Sequence, residues 1–486
     1  TLFPYTTLFR SRFFFIQMCQ IMSVKQLLEE DIDAGINKFI SEIEPLNLSS
    51  GAKRKLISMF KSAFLPNNTE KLDIDWSKVI PLTNESMVSY ETLPEVENPQ
   101  EILNKLVVIK LNGGLGTTMG CTFPKSLIEV RNGKTFFDFV VEQIKYFNHE
   151  YNVNIPLVLM NSFNTEKQME PVLAKVEGLE VLTYNQNKFP RIYEDTYEPV
   201  PKKADDPISM WNPPGHADVY HCLEDSGLLD KFLKEGKKYI MISNIDNLGS
   251  RIDLKILNKM LKDNISYAAE TTDKTPEEWK GGMPIYYEGH LKLLETAQVP
   301  KDHMDDFVAI SYFHANNLWV NLEKLKEALD NNTLKIDVMM NHKVFEGKKI
   351  IQLEAACGSA IQSFHDSIAI KVPRKRFMPV KACNELLLMR SDLYIYHPNG
   401  EFLLNEKRTV KGLPAVSFGP EFQKVEDFER RIPSPPSIYN LQSLKVTGDV
   451  TFGKGITLEG KVEIHASNGS TIHVPDNKVL KDCVIT

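Results

Sequence analysis

Between Lys105 and Asn247 the chain alternates short, continuously apolar runs with longer amphipathic ones, and this alternation constrains its fold more than any other feature. Lys105–Leu111 (KLVVIKL), Ile155–Ser162 (IPLVLMNS), Leu179–Gln186 (LEVLTYNQ) and Tyr239–Asn247 (YIMISNIDN) read as strands. Phe136–Tyr151 and Ala217–Gly236 read as helices between them. A strand that is apolar on both faces must be covered on both. The pattern therefore predicts an α/β fold with a mainly parallel sheet between helical layers. Such sheets bind ligands beyond the carboxyl ends of their strands. That rule selects Asn112–Gly116, Asn161–Ser162, Asn185–Gln186 and Asn244–Asp246.

The remainder sets bounds. A chain of 486 residues has room for two or three domains. A net charge of −7 excludes a whole-protein basic field for nucleic acid. The six cysteines are scattered, without metal-ligand spacing, which predicts free thiols and a cytoplasmic setting. The apolar piece from Arg12 to Ile21 is too short to span a bilayer, and no membrane partner is expected. Thr1–Ser11 reads like a translated sequencing adapter, so the natural start is expected near Met18 or Met22. Ser23 and Gln26 make a capping box for a helix running to Ile43, and a second helix is predicted over Ala52–Phe64. Asn67–Pro99 reads as an irregular connection. After Ser391 a proline-rich joint (RRIPSPPSIYNL) leads into short β-rich pieces punctuated by glycine, which predict turns of a β-helix or a small antiparallel sheet. The expected divisions are an adapter-derived extension at 1–21, a helical region at 22–100, a catalytic domain at 101–392 and a β-rich domain at 393–486.

Four stretches carry chemistry. In KLNGGLGTTMGCTFPKS, Gly113, Gly114, Gly116 and Gly120 follow a strand, where glycine lets backbone N–H groups approach a phosphate. The spacing fits neither the dinucleotide fingerprint nor a Walker loop, yet Lys125 stands just beyond it, behind Pro124. The strand YIMISNIDN ends in Asp246, which reads either as a Mg²⁺ ligand or as the cap of a following helix. In WNPPGHADVY a stiff Pro213–Pro214–Gly215 turn places His216 at a helix N-terminus, a favourable position for an anion. Lys371, Arg374, Lys375, Arg376 and Lys381 crowd one span, which reads as a solvated face, a nucleic-acid patch or one wall of a polyphosphate pocket.

Together with LMNSFNT, YNQNKFPRI, SNIDNLG, KGGMPIYYEGH, HANNLWVNL and RFMPVKACNELLL, these stretches resemble the eukaryotic-type UDP-glucose pyrophosphorylases, in that family's order, from about Ser23 to Thr486. The resemblance implies a Rossmann-like, glycosyltransferase-A-like nucleotidyltransferase with a mixed, mainly parallel sheet, N-terminal helices and a C-terminal β-helix. It implies UTP and glucose 1-phosphate as substrates and Mg²⁺ as cofactor. Leu111, Asn112, Gly113 and Gly114 would cradle the nucleotide, Lys125 would hold its triphosphate, and Gln186 with Gly215 would read the uracil. Gly113, Gly114, His216, Asn244, Ile245, Asp246, Asn316 and Asn317 would surround the sugar phosphate. Asp246 would bind the metal, and Lys381 would be the catalytic lysine beside Lys125. Ala217 stands where the family usually has glycine, and His314-Ala315 replaces a more usual Asn-Thr. A relative acting on N-acetylhexosamine or several sugar phosphates, and a catalytically dead nucleotide-binding scaffold, are the alternatives. The C-terminal β region is the candidate surface for a homo-oligomer.

Overall fold

A computed structural model describes residues 35–45, 50–64, 74–200, 208–275 and 281–486. The adapter-like stretch, both candidate start methionines and the Ser23–Gln26 capping box lie outside the described residues. The centre is an eight-stranded sheet. In chain order its strands are β1 (Val88–Ser89), β2 (Leu106–Leu111), β3 (Leu157–Asn161), β4 (Val181–Asn185), β5 (Tyr239–Asn244), β6 (Tyr267–Asp273), β7 (Tyr312–Asn321) and β8 (Ile368–Lys371). In space they run β1-β8-β6-β7-β5-β2-β3-β4. Only β7 is reversed: it pairs antiparallel with β5 and β6, and the sheet's other pairings are parallel.

The buried faces explain the apolar runs. Val107 and Ile109 of β2 point into one core with Ile240, Ile242, Tyr220 and Phe232, while Leu106 and Val108 point into the other with Phe137, Val140 and Ile144. The helix Phe136–Glu150 starts at a capping box: Thr135 Oγ1 accepts from the Asp138 N–H, and the Asp138 carboxylate accepts from the Thr135 N–H. The helix expected over Ala217–Gly236 is two pieces, Val219–Asp225 and Leu228–Lys234. Gly227 breaks it at φ 75°, a left-handed conformation that suits glycine.

The stretch expected to be irregular contributes two strands: Val79–Pro81 pairs with Met283–Tyr287, and β1 joins the edge of the central sheet. The helix at 35–43 and Ser50–Phe64 share a cluster with Phe189, Ile192, Ala217, Leu353 and Ala355. The C-terminal strands Ala415–Phe418, Leu441–Thr447, Thr457–His465 and Val479–Ile485 stack in parallel, with Leu444 beside Val462 and Leu458 beside Leu480. This is the stacking of a β-helix and excludes the small antiparallel sheet. Its inward residues Leu444, Val446, Val462 and Ile464 belong to the same apolar cluster as Leu106 and Phe137, so one core continues from the sheet into the C-terminal strands. Among the described residues no helix is long and apolar enough to cross a membrane. The five cysteines there are free thiols.

Candidate active site

The carboxyl ends of β2, β3, β4 and β5 open on one cleft of about 410 Å³. Leu111, Asn112, Gly113, Gly114, Lys125, Gln186, Gly215, His216, Asn244, Ile245, Asp246 and Lys381 line it, with Met160, Pro213 and Glu354. Of the residues the resemblance implied for the site, all but Asn316 and Asn317 line it; Leu115, Gly116, Asn161, Ser162 and Asn185, selected by the strand-end rule, do not.

The glycine loop is tied to its neighbours by hydrogen bonds. The Asn112 N–H donates to Met160 O at 2.8 Å, and Asn112 Nδ2 donates to Asn161 Oδ1 at 2.7 Å. Ser162 Oγ donates to Gly113 O at 2.7 Å. A Cβ on Gly113 would lie 2.0 Å from Gln186 Nε2, so glycine lets the loop approach the glutamine. The space around Gly114 is open. The loop then turns back through a bridge between Leu115 and Pro124, and the Lys125 N–H donates to Gly114 O at 3.2 Å. This return brings Lys125 to the strand ends. The buried acceptors Asn112 Oδ1 and Gln186 Oε1 have no hydrogen-bond partner. Buried acceptors are ordinarily satisfied, so both are available to a ligand.

The opposite wall is the turn at Gly215. Its φ is 89°, and a Cβ there would stand 2.4 Å from Ala355 N and O. Glycine is needed for that approach, in which the Ala355 N–H donates to Pro214 O at 3.0 Å. His216 follows. The Cys357 N–H donates to its Nδ1 at 3.0 Å, which leaves the ring proton on Nε2. Burial, with the charge of Lys381, lowers the His216 pKa to about 4. The ring is thus a neutral Nε2–H donor.

Asp246 is the electrostatic centre. Lys125 Nζ hydrogen-bonds its Oδ2, and Lys381 Nζ stands 3.7 Å from the same atom. Burial pushes the carboxyl upward, but the charges of Lys381 and Lys125 outweigh it and hold the pKa below the ordinary carboxylate range. Asp246 does not cap the next helix: Asp253 does, accepting from the Ile256 N–H at 3.1 Å.

The basic span divides. Lys371 pairs with Asp273, Lys375 with Glu401, and buried Arg376 with Glu270 and Asp253. Of its three lysines, Lys381 alone lines the cleft. This arrangement fits neither a nucleic-acid patch nor a uniformly solvated face. The two asparagines also separate. Asn316, at φ 52° beside a register shift between β6 and β7, donates to Asn244 Oδ1 at 3.1 Å and so borders the cleft. Asn317 is fully buried: its Nδ2 donates to Glu270 Oε2 and Arg376 O, and its Oδ1 accepts from Asn247 Nδ2. Of the two asparagines expected to reach the sugar, Asn316 or Asn317, Asn317 has its amide bonded inside the protein and Asn316 is the one beside the cleft. Sequence reasoning missed Glu354, which comes from the hairpin strand Lys348–Ala355 and carries no motif. It also missed buried Lys110, whose Nζ donates to Ser243 Oγ and Ser250 O, each at 2.8 Å. Burial lowers the Lys110 pKa to about 7.

A family model described as UTP–glucose-1-phosphate uridylyltransferase matches residues 56–459. Relatives of that name are similar along most of their length. One from Musa acuminata aligns over 463 residues at 45% identity, covering 93% of this chain and 98% of the relative. One from Hordeum vulgare aligns over 444 residues at 46%, covering 90% and 93%. Among solved structures, a mutant of UDP-glucose pyrophosphorylase from Leishmania major, in complex with UDP-glucose, superposes with a TM-score of 0.83 at 33% identity. The match covers 93% of this chain and 99% of that one.

Proposed function

The chain belongs to the UTP–glucose-1-phosphate uridylyltransferase family and makes UDP-glucose and pyrophosphate from UTP and glucose 1-phosphate; from that premise we propose that its cleft performs the transfer by charge and position, with no general base. A phosphate oxygen of the sugar attacks the α-phosphorus of UTP in line. The bond from that phosphorus to the bridging oxygen breaks, and pyrophosphate leaves with the electron pair. The attacking oxygen is already anionic at neutral pH, so no proton need be removed. The obstacle is repulsion between two polyanions, on the order of 4 kcal/mol for each pair of unit charges at ~4 Å and an effective dielectric near 20. Lys125 and Lys381 offset that repulsion and receive the charge developing on the leaving group.

The observation that supports this reading is the convergence of both lysines on the ionised Asp246 at the mouth of the glycine loop. Leu111, Asn112, Gly113 and Gly114 run along the nucleotide. Gln186 offers an unpartnered acceptor and an amide donor to the uracil edge, over Gly215. His216 donates from Nε2 to the sugar phosphate. Asn244, Ile245 and Asn316 border the sugar, and Asn317 is not part of this set. Mg²⁺ fits the donor set: Asp246 is a hard, ionised oxygen ligand, and this ion needs only one or two carboxylates beside substrate phosphates. When bound by Asp246 it supplies further positive charge against the phosphates.

The test is Asp246→Ala, assayed for pyrophosphate release from UTP and glucose 1-phosphate over a Mg²⁺ titration, with galactose and N-acetylglucosamine 1-phosphates alongside. Mg²⁺-dependent turnover is expected to vanish while the far-UV circular dichroism stays unchanged. Surviving activity refutes the metal assignment.

A further inference from the structure

Of the segment Arg376–Ala382, the catalytic lysine of the proposed mechanism alone lines the cleft. Lys381 is 62% exposed along its side chain and sits between Val380 and the helix Cys383–Arg390. Its position depends on what holds the five residues before it. Those residues, Arg376 to Val380, lie against the turn that follows β5, the turn that carries Asp246.

One side chain makes most of that junction. Asn247 is buried, adjacent in sequence to Asp246. Its Oδ1 accepts from the Met378 N–H at 2.8 Å and from the Gly249 N–H at 3.2 Å. Its Nδ2 donates to Arg376 O and to Asn317 Oδ1, both at 3.2 Å. Its backbone forms a bridge with Pro379. A single carboxamide thus bonds the chain on both sides of Phe377. The far side is equally fixed. Asn317 Nδ2 also donates to Arg376 O, and the Arg376 guanidinium donates to Glu270 at 2.6 and 2.7 Å. Gly249 closes the contact: a Cβ there would stand 2.5 Å from Lys375 O and 2.8 Å from the Arg376 carbonyl carbon.

We propose that Asn247 is a positioning residue for the transfer reaction: its carboxamide ties the Arg376–Met378 backbone to the Asp246 turn and thereby sets where the Lys381 ammonium stands over the triphosphate. The inference rests on the proposed role of Lys381. Asn247 does not line the cleft, and it acts only through that lysine. A buried hydrogen-bonded amide suits the task. It has one rotamer to adopt when all four of its bonds are made, and it brings no charge next to Asp246. A placement error near 1 Å in a catalytic group costs roughly 10²-fold in rate, which scales what loosening the tie should do.

The experiment is a double-mutant cycle on kcat, with Asn247→Ala and Lys381→Ala alone and together, in the full chain. Gly249→Ala is run as a second perturbation that pushes on the same backbone from the other side. Asn247→Ala is expected to lower kcat between ~10- and ~100-fold with the KM for UTP within about threefold of the parent. In the Lys381→Ala background the same change is expected to lower kcat less than about twofold, because the group it positions is gone. Gly249→Ala should show the same dependence on Lys381, and it decides the matter if Asn247→Ala does not retain the parent's far-UV spectrum. Equal fold-losses with and without Lys381, or an Asn247→Ala variant with parental kcat, overturn the proposal. If Lys381→Ala itself keeps full turnover, the catalytic assignment fails instead, so the two failures are told apart.

Discussion

Replacing Lys381 by alanine removes one positive charge from the cleft and leaves Lys125 and the glycine loop in place. The size of the effect follows from the geometry. Lys381 Nζ stands 3.7 Å from Asp246 Oδ2, and a phosphoryl oxygen received beside that carboxylate sits at a comparable distance. Two unit charges at such a separation attract by about 4.5 kcal/mol at an effective dielectric near 20. The side chain is 62% exposed, and doubling the dielectric to allow for solvent brings the figure to about 2 kcal/mol. Charge that builds on the leaving pyrophosphate only in the transition state appears in kcat. Lys381→Ala is therefore expected to lower kcat between ~30- and ~2000-fold. The KM for UTP should move less than about threefold if Lys125 and the loop amides hold the triphosphate as proposed. The assay is initial-rate pyrophosphate release at saturating glucose 1-phosphate and Mg²⁺, with UTP varied. A kcat within about threefold of the parent refutes the reasoning. So does a loss that falls wholly on KM, which would make Lys381 a binding group and not a catalytic one.

Gln186→Leu removes the unpartnered acceptor and the amide donor while keeping much of the volume. It should raise the KM for UTP at least about tenfold and erase the preference for UTP over CTP, measured as a ratio of kcat/KM values. His314 supplies a pH prediction. Its ring is buried, and burial lowers its pKa from 6.5 to about 4 against the opposing effect of a hydrogen bond with Asn316. Between those values the unfolded chain binds the proton and the folded chain does not, so stability falls as the pH is lowered from 6.5 towards 4. The gap between the two values corresponds to at most ~3 kcal/mol. His314→Leu should therefore flatten the acid side of a Tm-against-pH curve, and an unchanged slope counts against it.

In the first half of the sheet, β2, β3 and β5 could be read because they are buried on both faces and are largely apolar. The second half could not. β6 carries Glu270 and Thr271, and β7 carries His314, Asn316 and Asn317, all inside the protein or at the cleft. These polar side chains break the apolar runs that mark a strand. Burial is tolerated where they satisfy one another: Trp319 Nε1 and the Arg376 guanidinium both donate to Glu270. No local pattern announces such a network, since its members are distant in sequence. The cleft was legible where glycine and proline turns follow strands, as at Gly113, Gly215 and Asp246. It was not legible at Asn317, because the register shift beside Asn316 decides which asparagine faces outward. Glu354 was invisible because it arrives from a hairpin distant in sequence, joined to the turn at Gly215 by the Ala355 backbone.

The reversed direction of β7 divides the labour of the binding surface. At β2, β3, β4 and β5 the chain reaches the cleft as it leaves the strand; β7 runs the other way and borders the cleft in mid-strand, at Asn316. The two rims are thus encoded by segments that share no loop. Changes in β7 around Asn316 can reshape one rim while the glycine turn after β2 keeps its course.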